Sequence, residues 1–416
     1  MILPLTADPL ADRAGESADP VHTSRPRLLF AAHSGSQGGG ELCLDSLLRQ
    51  LDRDKYQITV LFPWEGPMAD SARRLGFDVV IRPLNWWMCW GFSWWDFKSH
   101  LFRTIPNIVW LARYIRRNRV DLVYTNSAVI FEAAVAARVA GVPHVWHVHE
   151  VLKRGNVTMP MLPIRLIKKL IGWLSRRIIF ESNASRNVYE NGRADPKCGV
   201  VYNCVRFPDG SATFDRGEAR RRLGFGDEEQ VVSFIGQLSE RKNPLLLAGA
   251  AARIADHSKL RFLFVGDGPL LKELQDAIGR LNLHDCCRIL PFQADVAWVL
   301  SATDVLVLPS RQESFGLVLV EAAALGKPAI ATRTEGPSEI IVDGVTGFLV
   351  TPEDEGELAQ KIIDIFGPHV DRQQMGQAAA ERARDLFSAP KYARTIEEII
   401  DNILATRIHV PSVETF

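Results

Sequence analysis

The sequence predicts an α/β chain built as two domains, each around a mostly parallel sheet, and three observations carry that expectation. Short runs rich in Val, Ile, Leu and Phe alternate with helical patterns from one end of the chain to the other, the signature of strands separated by crossover helices. At 416 residues the chain is long enough for two separate cores. A polar stretch over residues 203–230, rich in Gly and Arg and containing Pro208, divides the strand–helix series in two and reads as the connection between domains.

In the first series the strands are expected at 27–32, 57–62, 77–81, 121–125, 144–148, 177–180 and 199–202, with helices in the gaps that include 41–51, 105–117 and 129–140. The second series opens with strands at 231–235, 260–265, 288–290, 304–308 and 329–331. Three helical stretches follow Pro352, the last over about 390–406. Residues 1–25 are rich in Asp, Ala and Pro without a basic-then-apolar pattern, and read as a flexible leader rather than a signal peptide.

Composition narrows the classes of function. Hydrophobic residues make up 47% and charged residues 24% of the chain, a globular balance. The 49 basic residues offset the 49 acidic ones, so no global field favours nucleic acid, and an anion must be held by a local site. The six cysteines (43, 89, 198, 204, 286 and 287) show no Cys-x-x-Cys pair and no zinc spacing, as expected of reduced thiols. No apolar run reaches the roughly 18 residues that span a bilayer. A soluble, cytoplasmic protein is expected.

The most informative stretch is Pro309-Ser310-Arg311-Gln312-Glu313-Ser314-Phe315-Gly316, continued by an apolar segment that holds a single charge, Glu321. Strand 304–308 precedes it, so Glu313 falls on a loop and Glu321 inside the following helix. The helical neighbours of Glu321 are Leu317, Val318, Ala324 and Leu325. An unpaired carboxylate buried there is costly, and a ligand hydroxyl is one partner that answers the need. Backbone N–H groups around Phe315 and Gly316 would face an anion such as a diphosphate at the helix start. The alternative is a crowded surface helix whose Glu pairs with a nearby Lys or Arg.

Three further loops follow strands. Gly38-Gly39-Gly40-Glu41 opens the first helix, where glycines admit a phosphate close to the backbone or simply make a tight turn. It lacks the second-strand acid and spacing of a dinucleotide fingerprint, which counts against a nicotinamide cofactor. His147 and His149 share one side of a strand end where open sheets bind ligands, and no third ligand at metal spacing accompanies them. Arg241 and Lys242, in Gly236-Gln237-Leu238-Ser239-Glu240-Arg241-Lys242, form a cationic pair suited to a diphosphate or, alternatively, ordinary surface charges. Two other stretches suit a bilayer interface or the inward face of the fold equally well. Residues 85–97 contain five tryptophans, and residues 161–177 carry Arg165, Lys168, Lys169, Arg176 and Arg177 among apolar residues without an acid.

The Glu-x7-Glu pattern of Glu313 and Glu321, followed by Glu335-Gly336-Pro337-Ser338-Glu339-Ile340-Ile341 and Asp343-Gly344-Val345-Thr346-Gly347, resembles glycosyltransferase family 4. The resemblance covers nearly the whole chain from about residue 25 and is strongest in the second half. It implies a GT-B fold, two Rossmann-like domains facing across a cleft, and a retaining transfer of sugar from a nucleotide donor to an acceptor hydroxyl. The implied division is an acceptor-binding domain over 26–205, a nucleotide-sugar domain over 206–388, and a terminal helix in 389–416 that packs back towards the first.

On the same resemblance the donor meets Gly38, Gly39, Gly40, Arg241, Lys242, Gly266, Phe292, Gln293, Glu313, Ser314, Phe315, Gly316 and Glu321. Glu321 takes the ribose hydroxyls, while Glu313, His149 and Lys242 serve the reacting end. The family commonly has Arg where this chain has Gln237, so one expected positive charge is missing and Arg241 is the candidate to replace it. No Asp-x-Asp motif stands ready to hold a metal, and neither metal nor cofactor is expected. The implied partners are a UDP- or GDP-linked sugar and a saccharide or lipid-linked acceptor, in surface polysaccharide or lipid-linked glycan synthesis, with membrane contact through 85–97 and 161–177 at the inner face of the cell membrane. A nucleotide-sugar epimerase of the same fold and a non-enzymatic nucleotide-sugar sensor are the alternatives.

Overall fold

The structure, a computed structural model, describes residues 25–88, 94–153, 162–205, 214–254 and 259–408, the residues 94–102 and 407–408 by their backbone alone. The leader expected over 1–25 lies outside the described residues apart from Arg25, as do parts of the Trp-rich and basic stretches. The first series runs β1 (Arg27–Ala32), α1 (Gly39–Gln50), β2 (Gln57–Phe62), α2 (Pro67–Arg74), β3 (Asp78–Ile81), α3 (Trp94–Arg117), β4 (Leu122–Asn126), α4 (Glu132–Ala140), β5 (His144–Val148), α5 (Ile164–Leu174), β6 (Arg177–Phe180), α6 (Asn183–Glu190) and β7 (Cys198–Val200). The second runs α7 (Arg216–Leu223), β8 (Gln230–Ile235), α8 (Pro244–Ala252), β9 (Leu260–Val265), α9 (Leu271–Arg280), β10 (Cys287–Leu290), α10 (Ala297–Ala302), β11 (Val305–Leu308), α11 (Leu317–Ala324), β12 (Ala329–Thr332), α12 (Pro337–Ile340), β13 (Gly347–Val350), α13 (Glu355–Phe366), α14 (Arg372–Phe387) and α15 (Ala389–Ile408).

All pairings within the two sheets are parallel. The sheets have the orders β3-β2-β1-β4-β5-β6-β7 and β10-β9-β8-β11-β12-β13. Central strands such as β4 and β11 are buried at every position, as expected of strands covered on both faces by helices. The order reverses direction between β1 and β4 in one sheet and between β8 and β11 in the other. Crevices open at such points, outside the carboxyl ends of the strands.

Two segments differ from the sequence reading. The polar connection contains a helix, α7, because Asp215 caps it by accepting from Glu218 N and Arg220 is drawn inside. The Arg220 guanidinium donates to Asp304 and to the carbonyls of Gly226, Asp227 and Glu229, which satisfies its charge below the surface. The sixth strand of the second sheet, β13, is the short Gly-Phe-Leu-Val run that the sequence shows only as part of a motif. Gly347 fits it because φ is +159° and an added Cβ would run into the Ala329 carbonyl.

α15 leaves the second sheet and lays Tyr392, Ala393, Ile396, Ile400 and Ile403 into the core that holds Leu28, Phe30, Leu44 and Leu47 of the first. A second link is made by Glu339 of α12. Its carboxylate accepts from the backbone N–H groups of Asn183 (3.0 Å) and Ala184 (2.7 Å) at the start of α6 and from the Tyr202 hydroxyl (2.9 Å), an anion on a helix N-terminus. Ile396→Ala should therefore destabilise the chain by about 2–5 kcal/mol, read as a lower midpoint of urea unfolding. An unchanged midpoint would show that α15 does not contribute to that core.

Candidate active site

A cleft of about 890 Å³ lies between the two sheets, lined by loops from the carboxyl ends of both, a size suited to a small organic ligand. From the first sheet come Gln37, Gly38, Gly39 and Gly40 after β1, His149 and Glu150 after β5, and Glu181 after β6. From the second come Gly236, Gln237, Arg241 and Lys242 after β8, Gly266 and Asp267 after β9, Phe292 and Gln293 after β10, and residues 312–318 with Glu321 after β11. The structure thus brings every donor-site and catalytic residue that the resemblance implies to one wall or another of a single cavity, while His147 lies outside it.

The second sheet supplies the charge. Lys242 Nζ bonds the Glu313 carboxylate, Arg241 Nη1 lies 3.6 Å from its other oxygen, and Ser310 Oγ donates to it over 3.3 Å. Burial opposes ionisation of Glu313, but the charges of Lys242 and Arg241 outweigh it and hold its pKa below the ordinary carboxylate value. Glu313 is therefore an anion at neutral pH. Arg241 and Gln237 both line the cleft.

Glu313 also fixes its own loop, since its carbonyl accepts from Gly336 N over 2.9 Å. Gly316 ends that loop at φ +97°, where an added Cβ would press on Leu308 and Leu319 at 3.2 Å, so only glycine enters α11 without strain. The Phe315 side chain is not a ligand contact: it is buried beside Tyr202 and Phe387, which leaves only its backbone for the cleft.

α11 is apolar all round apart from Glu321, as befits a helix packed between a sheet and α14. Glu321 has no ion pair or hydrogen bond among the described residues. Burial, with a smaller push from Asp295, raises its pKa to about 7. The alternative of a surface Glu paired with Lys or Arg does not hold. The loops after β8 and β9 press together where an added Cβ on Gly266 (φ +142°) would strike the Gly236 carbonyl, and Phe292 stands 57% exposed at the rim.

The first sheet supplies a polar wall. Asn126 Nδ2 donates to the Gly40 carbonyl (3.1 Å), so its Oδ1 faces His149 Nε2 at 2.9 Å. An added Cβ on Gly40 would sit 3.2 Å from the His149 ring, so the glycine loop and His149 are in close contact. His147 is a core residue. Tyr124 and Tyr392 hydroxyls lie 2.7 and 3.3 Å from its Nδ1, and burial, with a smaller push from the adjacent His149 ring, holds its pKa well down. No group of three His, Cys, Asp or Glu residues arranged to hold a metal occurs among the described residues. Sequence reasoning missed Glu181 and Asn203. Glu181 carried a signal: an acid placed directly after an apolar strand, as His149 is placed after β5.

The stretches read as membrane or core elements divide. Trp87 is core: it stacks 6.0 Å from Trp146, and its Nε1 donates to the Ala128 carbonyl. On α5, Ile167, Ile171 and Leu174 face inward, whereas Trp173 is 62% and Leu166 42% exposed, beside exposed Arg165, Lys169 and Arg176. No helix among the described residues is long and apolar enough to cross a membrane.

Comparison with known proteins finds two family models. Residues 215–382 match "Glycosyl transferases group 1" and residues 37–207 match "Glycosyltransferase Family 4". The chain is 32% identical to a D-inositol 3-phosphate glycosyltransferase of Mycobacterium marinum, over 91% of this chain and 83% of that one. It is 28% identical to the UDP-Gal:alpha-D-GlcNAc-diphosphoundecaprenol alpha-1,3-galactosyltransferase of Escherichia coli, over 73% and 78%. Among solved structures, Anabaena Alr3699/HepE in complex with UDP-glucose superposes with a TM-score of 0.75 at 25% identity, covering 90% of this chain and 99% of that one.

A carboxyl whose pKa is about 7 in the folded chain and about 4.3 when unfolded keeps its proton in the native state alone between those values. Stability therefore falls as pH rises through that window. Glu321→Gln should stabilise the ligand-free protein at pH 8 by up to about 3 kcal/mol, read as a higher urea midpoint. The gain should shrink as pH falls towards 4.5. A pH-independent effect would contradict burial of an ionising Glu321.

Proposed function

The chain belongs to glycosyltransferase family 4 and is a glycosyltransferase of GT-B type, and from that premise we propose a retaining enzyme that moves a hexose from a nucleotide diphosphate to an acceptor hydroxyl. The observation that carries the reading is the placement of Glu321, Lys242 and Glu313 along one wall of the cleft. Glu321, uncommitted and desolvated, is suited to accept from the ribose hydroxyls, which would offset the cost of its burial. Lys242 and Arg241 would meet the diphosphate and stabilise charge on the leaving group, aided by the start of α11. Glu313, kept ionised by those cations, would hold sugar hydroxyls and favour positive charge at the anomeric carbon.

Among the described residues none stands out as an enzymic nucleophile, and the family resemblance favours attack on the same face as departure, with the leaving phosphate receiving the acceptor proton. Rate acceleration would then come from positioning and preorganised charge. UDP is the donor nucleotide we favour, because the Anabaena structure holds UDP-glucose and the E. coli relative is named for UDP-Gal. A lipid-linked acceptor is supported by the diphosphoundecaprenol in the E. coli relative's name. It also fits the outer face of α5, where Trp173 and Leu166 stand among Arg165, Lys169 and Arg176 as an amphipathic surface for an anionic bilayer. That would place the enzyme at the cytoplasmic side of the membrane.

UDP release from UDP-hexoses, measured with and without saccharide and prenyl-diphosphate acceptors, separates the readings. Acceptor-dependent release is expected; a free 2-epimer would mean an epimerase, and tight binding without turnover a sensor. In the same assay Glu313→Ala should lower kcat at least about a hundredfold with little change in UDP affinity, whereas Glu321→Ala should weaken UDP binding at least about tenfold. The reverse assignment of effects would contradict the two roles. Sedimentation with phosphatidylglycerol vesicles should fall on Trp173→Ala combined with Arg165→Glu, and undiminished sedimentation would remove α5 as the contact.

A further inference from the structure

Beneath His149 the first sheet holds an acid that the donor reading above leaves unused. Glu181 follows β6 directly and is 3% exposed, and its Oε2 lies 3.6 Å from His149 Nδ1. The same oxygen accepts from Asn203 Nδ2 over 2.6 Å. Glu181 Oε1, His149 Nδ1 and Asn203 Oδ1 are all buried without a hydrogen-bond partner, and all three residues line the cleft. Buried polar atoms left this way are costly unless something engages them.

The tautomer of His149 follows from its other contact. The Gly40 carbonyl can only accept, so the Asn126 amide nitrogen must face it and Asn126 Oδ1 must face His149. His149 Nε2 therefore carries a hydrogen. A neutral ring then turns a bare Nδ1 lone pair towards Glu181, where an ionised carboxylate would set two acceptors against each other. One proton between Nδ1 and Oε2 removes the conflict.

We propose that Glu181 is a positioning residue for His149, and that the two side chains hold one proton in common beneath the sugar end of the cleft. The surroundings leave that proton to the pair, for the Cys43 thiol that feels the Glu181 charge is itself kept protonated by its Cys204 neighbour and by burial. Glu150 already accepts from Ser127 Oγ, Ala128 N and His149 N. His147, its ring 4.1 Å from His149, stays neutral in the core. Asn126 and Asn203 do not titrate, and Ser314 reaches Glu181 from the second sheet. Burial raises the pKa of Glu181, with opposition from His149 and Ser314 and support from the Glu150 charge, which favours a proton on the pair in the empty cleft. An arriving diphosphate favours the shared proton on His149 Nδ1: the hold of Glu181 Oε2 on it breaks as the Nδ1–H bond forms, and the net charge of the pair is unchanged. An imidazolium then faces the donor, with its counter-charge locked beneath it. This rests on the reading that His149 meets the donor.

The test follows the His149 ring resonances in ligand-free protein between pH 5.5 and 9.5, assigned by loss in His149→Asn, for wild type, Glu181→Gln and Glu181→Asp. Glu181→Gln should lower the midpoint of proton loss by at least about one pH unit, and Glu181→Asp should stay close to wild type. Superimposable titrations in wild type and Glu181→Gln would overturn the pair. The rate profile gives a second readout with UDP-glucose: in Glu181→Gln the alkaline fall of kcat/KM should begin at lower pH. A uniform loss at every pH would mark Glu181 as merely structural and overturn the proposal. Wild type without acceptor-dependent turnover, alongside a shifted ring titration, would uphold the pair and contradict the transferase reading instead.

Discussion

Lys242 reaches Glu313 across the gap between two strand-to-helix loops, and the charge state of this wall of the cleft depends on that contact. The pair ties the loop after β8 to the loop after β11, the two strands at which the second sheet reverses its order. Removing one partner of such a buried pair leaves an uncompensated charge, a loss on the order of 3–5 kcal/mol. The pair also keeps Glu313 ionised inside the protein. A fixed anion and a fixed cation are therefore present before any ligand arrives, which is what preorganised electrostatics requires.

The two carboxylates of the α11 region show how environment divides one residue type into two behaviours. Glu313 has cations around it and stays charged, while Glu321, eight residues on, has an apolar helix around it and titrates near neutrality. Two acids that meet elements of the first sheet's half repeat the theme. Glu339 is satisfied by a helix N-terminus, whereas Glu181 faces a histidine and an amide with atoms to spare.

Much of this was legible in the sequence because it rests on local pattern. Apolar runs such as Val305–Leu308 announce buried parallel strands, and a lone Glu among Leu, Val and Ala announces a helix that hides its charge. Lys242 and Glu313 were each visible as loop charges, but their bond joins residues 71 apart and no spacing rule reports it. Glu181 was overlooked because its partners, His149, Asn203 and Ser314, come from three separate loops. The α7 helix was obscured by composition: its arginines look like a solvated run, and only the fold turns Arg220 inward towards Asp304. Trp87 lay in a stretch whose aromatic content suits a membrane surface, and its stacking on Trp146 decides for the core.

The central claim is that the cleft receives a nucleoside diphosphate against Lys242. Calorimetric titration of UDP into wild type and Lys242→Met, at matched pH and salt, tests it most directly. The account predicts that Kd rises at least about tenfold in the variant, the loss of about 1.4 kcal/mol or more, with a weaker dependence on salt. Equal affinity and equal salt dependence in the two proteins would contradict it.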